Sequence, residues 1–158
     1  MNILVLCTGN SARSILLEYI LNTHSGGRII AFSAGSKPTG RVHPQSLALL
    51  ASLGIDASAA RSKSWDEFAV PDAPKMDAVI TVCGSAAAEE CPIWPGAPLR
   101  AHWGVEDPAA AEERDWEAAF QIAYASLERR ARAFLNHDLA SLSPGALQVA
   151  LNEAGQIP

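Results

Sequence analysis

Asn2-Ile3-Leu4-Val5-Leu6-Cys7-Thr8-Gly9-Asn10-Ser11-Ala12-Arg13-Ser14 passes without interruption from an apolar, branched stretch into a polar turn. The run from Asn2 to Leu6 fits a short strand buried on both faces, as strands of parallel sheets are. It stops abruptly at Cys7. From Ala12 to about Asn22 the apolar residues Ile15, Leu16, Tyr19, Ile20 and Leu21 recur at helical spacing, with Ser11 placed to cap the helix. The segment therefore reads as strand, tight loop, helix.

The same alternation continues outward. Arg28 to Ser33 reads as a second strand and Pro44 to Leu53 as a helix closed by Gly54. Ala78 to Val82 supplies a third strand and Leu99 to Trp103 a fourth. A long Ala-, Glu- and Arg-rich stretch from about Ala109 to His137 reads as the major C-terminal helix, and Pro144 to Glu153 as one more. Strands alternating with helices predict an α/β fold, a parallel four-stranded sheet with helices on both faces. The expected boundaries are one domain over 1–138 and a helical appendage over 139–158.

At 158 residues the chain suits one compact domain that buries its own core. Its 49% apolar and 18% charged residues exclude a disordered chain, and no apolar stretch approaches the roughly 20 residues of a bilayer span. Twelve Lys and Arg against seventeen Asp and Glu leave a net charge of −5, which argues against nucleic acid or an anionic membrane as partner. Any anion must be captured locally. The three cysteines, Cys7, Cys83 and Cys91, cannot all pair, and an odd set in a domain of this size fits a reducing cytoplasm. Leu4-Val5-Leu6-Cys7 superficially resembles a lipoprotein cleavage box, but a cationic n-region and an apolar h-region are missing before it. Zinc is a poor match, since there is no CxxC pair and His24, His43, His102 and His137 show no ligand spacing. Neither a metal nor an organic cofactor is expected.

A cysteine and an arginine separated by five residues, at a point where a buried strand becomes a helix, have a physical meaning. Backbone N–H groups of such a turn, with the unpaired N–H groups of the first helical turn, form a cradle of positive partial charge for a tetrahedral oxyanion. The cradle would comprise Thr8, Gly9, Asn10, Ser11, Ala12, Arg13 and Ser14. Arg13 adds a planar fork for two anion oxygens. The same field favours ionisation of the Cys7 thiol, which makes it a nucleophile beneath the bound anion. Ser14 is placed to donate to that thiolate, and Asn10 to brace the loop from inside.

The loop C-T-G-N-S-A-R-S resembles that of the low-molecular-weight tyrosine phosphatase superfamily, and especially its arsenate reductase branch. Further matches follow in the same order: Ser33-Ala34-Gly35, Thr81-Val82-Cys83, Cys91-Pro92, and His102-Trp103-Gly104-Val105-Glu106-Asp107-Pro108. The resemblance covers roughly residues 1–137. It implies that Cys7 attacks the oxyanion, that Arg13 holds it and that Asp107 is the general acid. In the reductase branch it further implies a relay, in which Cys83 attacks Cys7 to release arsenite and Cys91 then attacks Cys83. Arsenate would be the substrate, with phosphate or sulfate as competing oxyanions. Thioredoxin, or glutathione with glutaredoxin, would be the electron donor.

Two alternatives share these residues. A low-molecular-weight protein tyrosine phosphatase would use Cys7, Arg13 and Asp107, but in that branch an aromatic residue usually follows the Asp-Pro, and here Ala109 does. A non-catalytic oxyanion- or phosphoprotein-binding module would keep the cradle alone. Three departures from the reductase pattern stand out. Ala12 replaces a second loop cysteine found in many relatives, and the interval from Cys83 to Cys91 is one residue longer than in well-known thioredoxin-coupled members. Some relatives also hold a potassium ion beneath the loop with Asn, Glu and Ser side chains and a later Asp. Asn10, Glu18 and Ser33 match, but Lys63 stands at the later position. Finally, a regular helix over 83–91 would hold the two Cα atoms about 12 Å apart, beyond disulfide range, so this segment is expected to be looped or to unwind.

Overall fold

A computed structural model describes residues 1–89, 94–96 and 98–158. Four strands, β1 (Asn2–Leu6), β2 (Ile30–Ala34), β3 (Ala78–Thr81) and β4 (Leu99–His102), form a sheet of order β2-β1-β3-β4 in which every pairing is parallel. The helices are α1 (Arg13–His24), α2 (Pro44–Ser52), α3 (Gly84–Ala88), α4 (Trp116–Leu135) and α5 (Pro144–Gly155).

Strand β1 shows why the apolar run is continuous. Ile3 and Val5 join the large core cluster with Leu16, Ile20, Phe120, Leu127 and Leu151 of α1, α4 and α5, whereas Leu4 and Leu6 face a second cluster with Phe68, Met76 and Trp94. A strand covered on both faces has no place for polar alternation. The second cluster is closed by the 3-10 turn Trp65–Phe68, whose Phe68 packs on Phe32 of β2 with ring centroids 5.5 Å apart.

Two local expectations are corrected. The stretch from 109 to 137 is not one helix: Pro108–Ala110 and Glu113–Asp115 are 3-10 turns, and α4 begins only at Trp116, whose Nε1 donates to the Ala111 carbonyl at 2.9 Å. Ser11 does not cap α1 either. The N-cap position falls on Ala12, with no side-chain cap, which leaves the helix's first N–H groups to the loop.

The segment 139–158 contains α5, with Leu147, Ala150, Leu151 and Ala154 in the same core cluster as α1 and α4. Trp103 Nε1 donates to the Leu151 carbonyl at 2.9 Å. Helix α5 also lies along β4, where Gln148 Nε2 donates to the Arg100 carbonyl at 2.8 Å. Among the described residues no helix is long and apolar enough to cross a membrane.

Candidate active site

The order β2-β1-β3-β4 puts the topological switch point at the carboxyl ends of β1 and β3, the crevice where open parallel sheets bind ligands. All four strands contribute there. Gly35 follows β2, Cys7 follows β1, Cys83 follows β3 and Asp107 follows β4. Leu6 pairs with Thr81 in the β1–β3 register, so Cys7 and Cys83 emerge side by side.

The loop from Cys7 to Ala12 is held by its carbonyls. Thr8, Gly9 and Ser11 carbonyl oxygens accept from the N–H groups of Lys37, Thr39 and His43 at 3.0, 3.0 and 2.9 Å. Ser62 and Ser46 hydroxyls add bonds to the Gly9 and Ser11 carbonyls at 3.1 and 3.0 Å. These bonds to neighbouring segments hold the loop by its oxygens and turn its N–H groups inward, where those of Gly9 and Thr8 face the Cys7 and Cys83 sulfurs. Gly35 lets β2 pass directly against this loop. A Cβ there would press on the Thr8 carbonyl oxygen and come within 2.9 Å of that of Cys7.

Asn10 is fully buried with φ of 45°, a left-handed backbone that asparagine tolerates better than most residues. Its Nδ2 donates to Ser14 Oγ and Ser33 Oγ, each at 2.9 Å, and its Oδ1 accepts the Lys63 N–H at 2.9 Å. The expected internal brace is therefore an amide that uses both ends.

Arg13 starts α1 with its side chain 13% exposed. Its Nη1 donates to the Val105 carbonyl at 3.0 Å, and its Nη2 lies 3.3 Å from Asp107 Oδ2. Its Nε is buried with no hydrogen-bond partner among the described residues, an orphan donor that an oxyanion would satisfy. Asp107 also caps the turn Pro108–Ala110 through an Oδ1 bond from the Ala109 N–H at 3.1 Å. His43 meets Trp116 edge-on with ring centroids 4.6 Å apart and lies tilted against Phe120 at 4.8 Å; burial lowers its pKa and Asp107 opposes that shift. Sequence reasoning missed His43 because neither metal spacing nor a catalytic motif marks it.

Cys7 and Cys83, buried at 6% and 4% exposure, are free thiols joined by a hydrogen bond. Cys83 caps α3, accepting from the Ala86 N–H at 3.4 Å, and lies 3.7 Å from Thr8 Oγ1. The bond from Cys7 is the largest influence on Cys83 and, aided by the Ala86 N–H and Thr8, brings it down to about 5 against burial. The same bond, with burial, pushes the Cys7 thiol up while Arg13 pulls it down. Two adjacent thiolates repel, so the pair releases one proton readily and holds the second. One proton is therefore shared between the two sulfurs, so the pair carries a single negative charge within reach of the loop. Cys91 lies outside the described residues. Helix α3 ends at Ala88, with Glu89 already extended at ψ 147°, so no regular helix spans 83 to 91.

The position matching a potassium ligand in some relatives does not suit a potassium ion. The Lys63 ammonium lies 4.0 Å from Glu18 Oε2, and a second cation beside it would be repelled.

A family model described as low molecular weight phosphotyrosine protein phosphatase matches residues 2–144. An arsenate reductase of Halalkalibacterium halodurans is 37% identical over 131 residues, which cover 82% of this chain and 91% of that protein. The solved arsenate reductase from Archaeoglobus fulgidus aligns with a TM-score of 0.66 at 27% identity, over 85% of this chain and 99% of that one. A thioredoxin-dependent arsenate reductase of Corynebacterium glutamicum gives a TM-score of 0.65 at 25% identity, over 89% of this chain and 63% of that one.

Proposed function

We propose that this chain, which belongs to the low molecular weight phosphotyrosine protein phosphatase family, reduces arsenate to arsenite. The observation that carries the reading is the second thiol: the pairing of Leu6 with Thr81 sets Cys83, free and buried, beside Cys7 at the base of the oxyanion loop. Phosphoester hydrolysis has no use for it.

The chemistry starts with arsenate held by the loop N–H groups and the Arg13 guanidinium. Proton transfer from Cys7 to Cys83 along their hydrogen bond makes Cys7 the nucleophile. Its thiolate attacks arsenic(V), and one arsenic oxygen leaves as water with a proton from Asp107. Cys83, once it has lost its proton, then attacks the Cys7 sulfur. The S–As electron pair passes to arsenic, which departs as arsenite, and two thiols have become a Cys7–Cys83 disulfide. Attack of Cys91 on Cys83 returns Cys7 as a thiolate and moves the disulfide to Cys83–Cys91. A dithiol donor of the thioredoxin type, or glutathione with glutaredoxin, restores both. The cytoplasm, where such donors are reduced, suits this cycle.

Arsenite release on addition of arsenate with reduced thioredoxin tests the reading. Steady turnover without a thiol donor on a phosphoester, and none on arsenate with one, would favour the phosphatase alternative. Anion binding with neither activity would leave only a binding module.

A further inference from the structure

Two opposite charges are buried directly under the oxyanion loop, outside the groups given a chemical step above. The side chains of Glu18 on α1 and Lys63 are only 17% and 8% exposed. Lys63 belongs to the strand-like segment that borders the end of β2, where Gly35 N–H donates to the Lys63 carbonyl at 2.9 Å. Its Nζ lies 4.0 Å from Glu18 Oε2 and donates to the Arg61 carbonyl at 3.3 Å.

Glu18 connects to the loop through hydroxyl and amide groups. An ionised carboxylate only accepts, so Ser33 Oγ donates to Glu18 Oε2. The Ser33 oxygen is then free to accept from Asn10 Nδ2, the group that also reaches Ser14. Lys63 holds the other end of the same amide with its backbone N–H. One residue therefore supports Asn10 twice, through its main chain and through the charge that keeps Glu18 an acceptor.

We propose that Lys63 is a positioning residue whose ammonium is the built-in counter-cation of the oxyanion loop, holding Glu18 ionised so that Ser33 and Asn10 fix the loop in its left-handed turn. An unpaired buried carboxylate would take up a proton or draw in another cation. Burial raises Glu18 and lowers Lys63, and each opposes the other's shift. The other charged groups facing the pair are Arg61 and Glu67, which bind each other at 2.9 and 2.6 Å, and Tyr19 lies beside Glu18. With Lys63 removed, the Glu18 carboxylate and Arg61 carbonyl would offer oxygen donors to a small monovalent cation.

Sulfate is a suitable probe, because it does not titrate between pH 5 and 9 and its binding does not depend on whether arsenate is the substrate. Calorimetry of reduced enzyme would compare tetramethylammonium, ammonium and potassium chlorides at equal ionic strength. Wild-type affinity should be the same in all three. Lys63→Met should bind sulfate about tenfold more weakly in tetramethylammonium, recover in ammonium or potassium, and weaken further as pH falls and Glu18 protonates. Glu18→Gln/Lys63→Met, with no buried charge, should lose the cation response. If Lys63→Met folds only with ammonium or potassium, that refolding is the same positive result. Three results would overturn the proposal: wild type gaining affinity from potassium, Lys63→Met matching wild type in tetramethylammonium, or a loss that neither small cation restores.

Discussion

Arg13 and Asp107 close the site from opposite sides, with Nη2 and Oδ2 3.3 Å apart, although one begins α1 and the other follows β4. Asp107 is at once the partner of Arg13 and the cap of the next turn. Asp107→Asn keeps a side-chain oxygen for the cap but cannot donate a carboxyl proton. It should lower kcat by about 10²–10⁴-fold while sulfate affinity changes little. Wild-type turnover in this variant would reduce Asp107 to its capping role.

The two described cysteines should separate by function. Cys7→Ser should abolish arsenate reduction and any phosphoester cleavage, because both begin with the same attack. Cys83→Ser should lose reduction but keep cleavage of an aryl phosphate. Multiple-turnover arsenite production by Cys83→Ser, followed with a thioredoxin-coupled assay, would contradict the relay.

The shared proton makes a prediction about pH. Cys83 is held at about 5 chiefly by the hydrogen bond from Cys7, so it is mostly thiolate above that pH. Cys7→Ala removes the main stabilising contact, and the Cys83 thiol should rise toward its ordinary value of 9.0. At pH 6.5 its alkylation by iodoacetamide, mapped by mass spectrometry, should slow at least about tenfold relative to wild type. An unchanged pH profile for Cys83 would mean that α3 and Thr8 alone set its charge.

Much of this was legible in the first fourteen residues, because a strand buried on both faces and a loop that must present N–H groups each constrain sequence locally. The parallel sheet followed from repetition of that unit. What could not be read were relations between distant segments. The pairing of Leu6 with Thr81, which brings Cys7 to Cys83, is a matter of register, and the carbonyl anchors from Lys37, Thr39 and His43 are main-chain bonds indifferent to side-chain identity. The influence of Cys83 on Cys7 is hidden for the same reason: helix terminus and arginine are visible in sequence, whereas a neighbouring sulfur is not. The break of the long C-terminal helix at Glu113–Asp115 was hidden by residues of good helix propensity, which Pro108 and the Trp116 anchor to Ala111 override.

Gly35 offers the last test, of the loop's backing rather than its chemistry. Its N–H donates to the Lys63 carbonyl at 2.9 Å and its carbonyl accepts from the Trp65 N–H at 3.0 Å, so the end of β2 cannot retreat. On the other side, a methyl group would meet the Thr8 and Cys7 carbonyl oxygens. Gly35→Ala must therefore push the loop itself, at a cost of about 1–3 kcal/mol in stability. Because a displacement of about 1 Å at a reacting centre costs about 10²-fold in rate, activity should fall further than stability alone explains. Gly145→Ala is the matched control, since its position in α5 has open space, and it should hold or raise the melting temperature. Wild-type sulfate affinity and melting temperature in Gly35→Ala would show that the loop has room to yield, and that its fixed carbonyls are not what keeps the N–H cradle in shape.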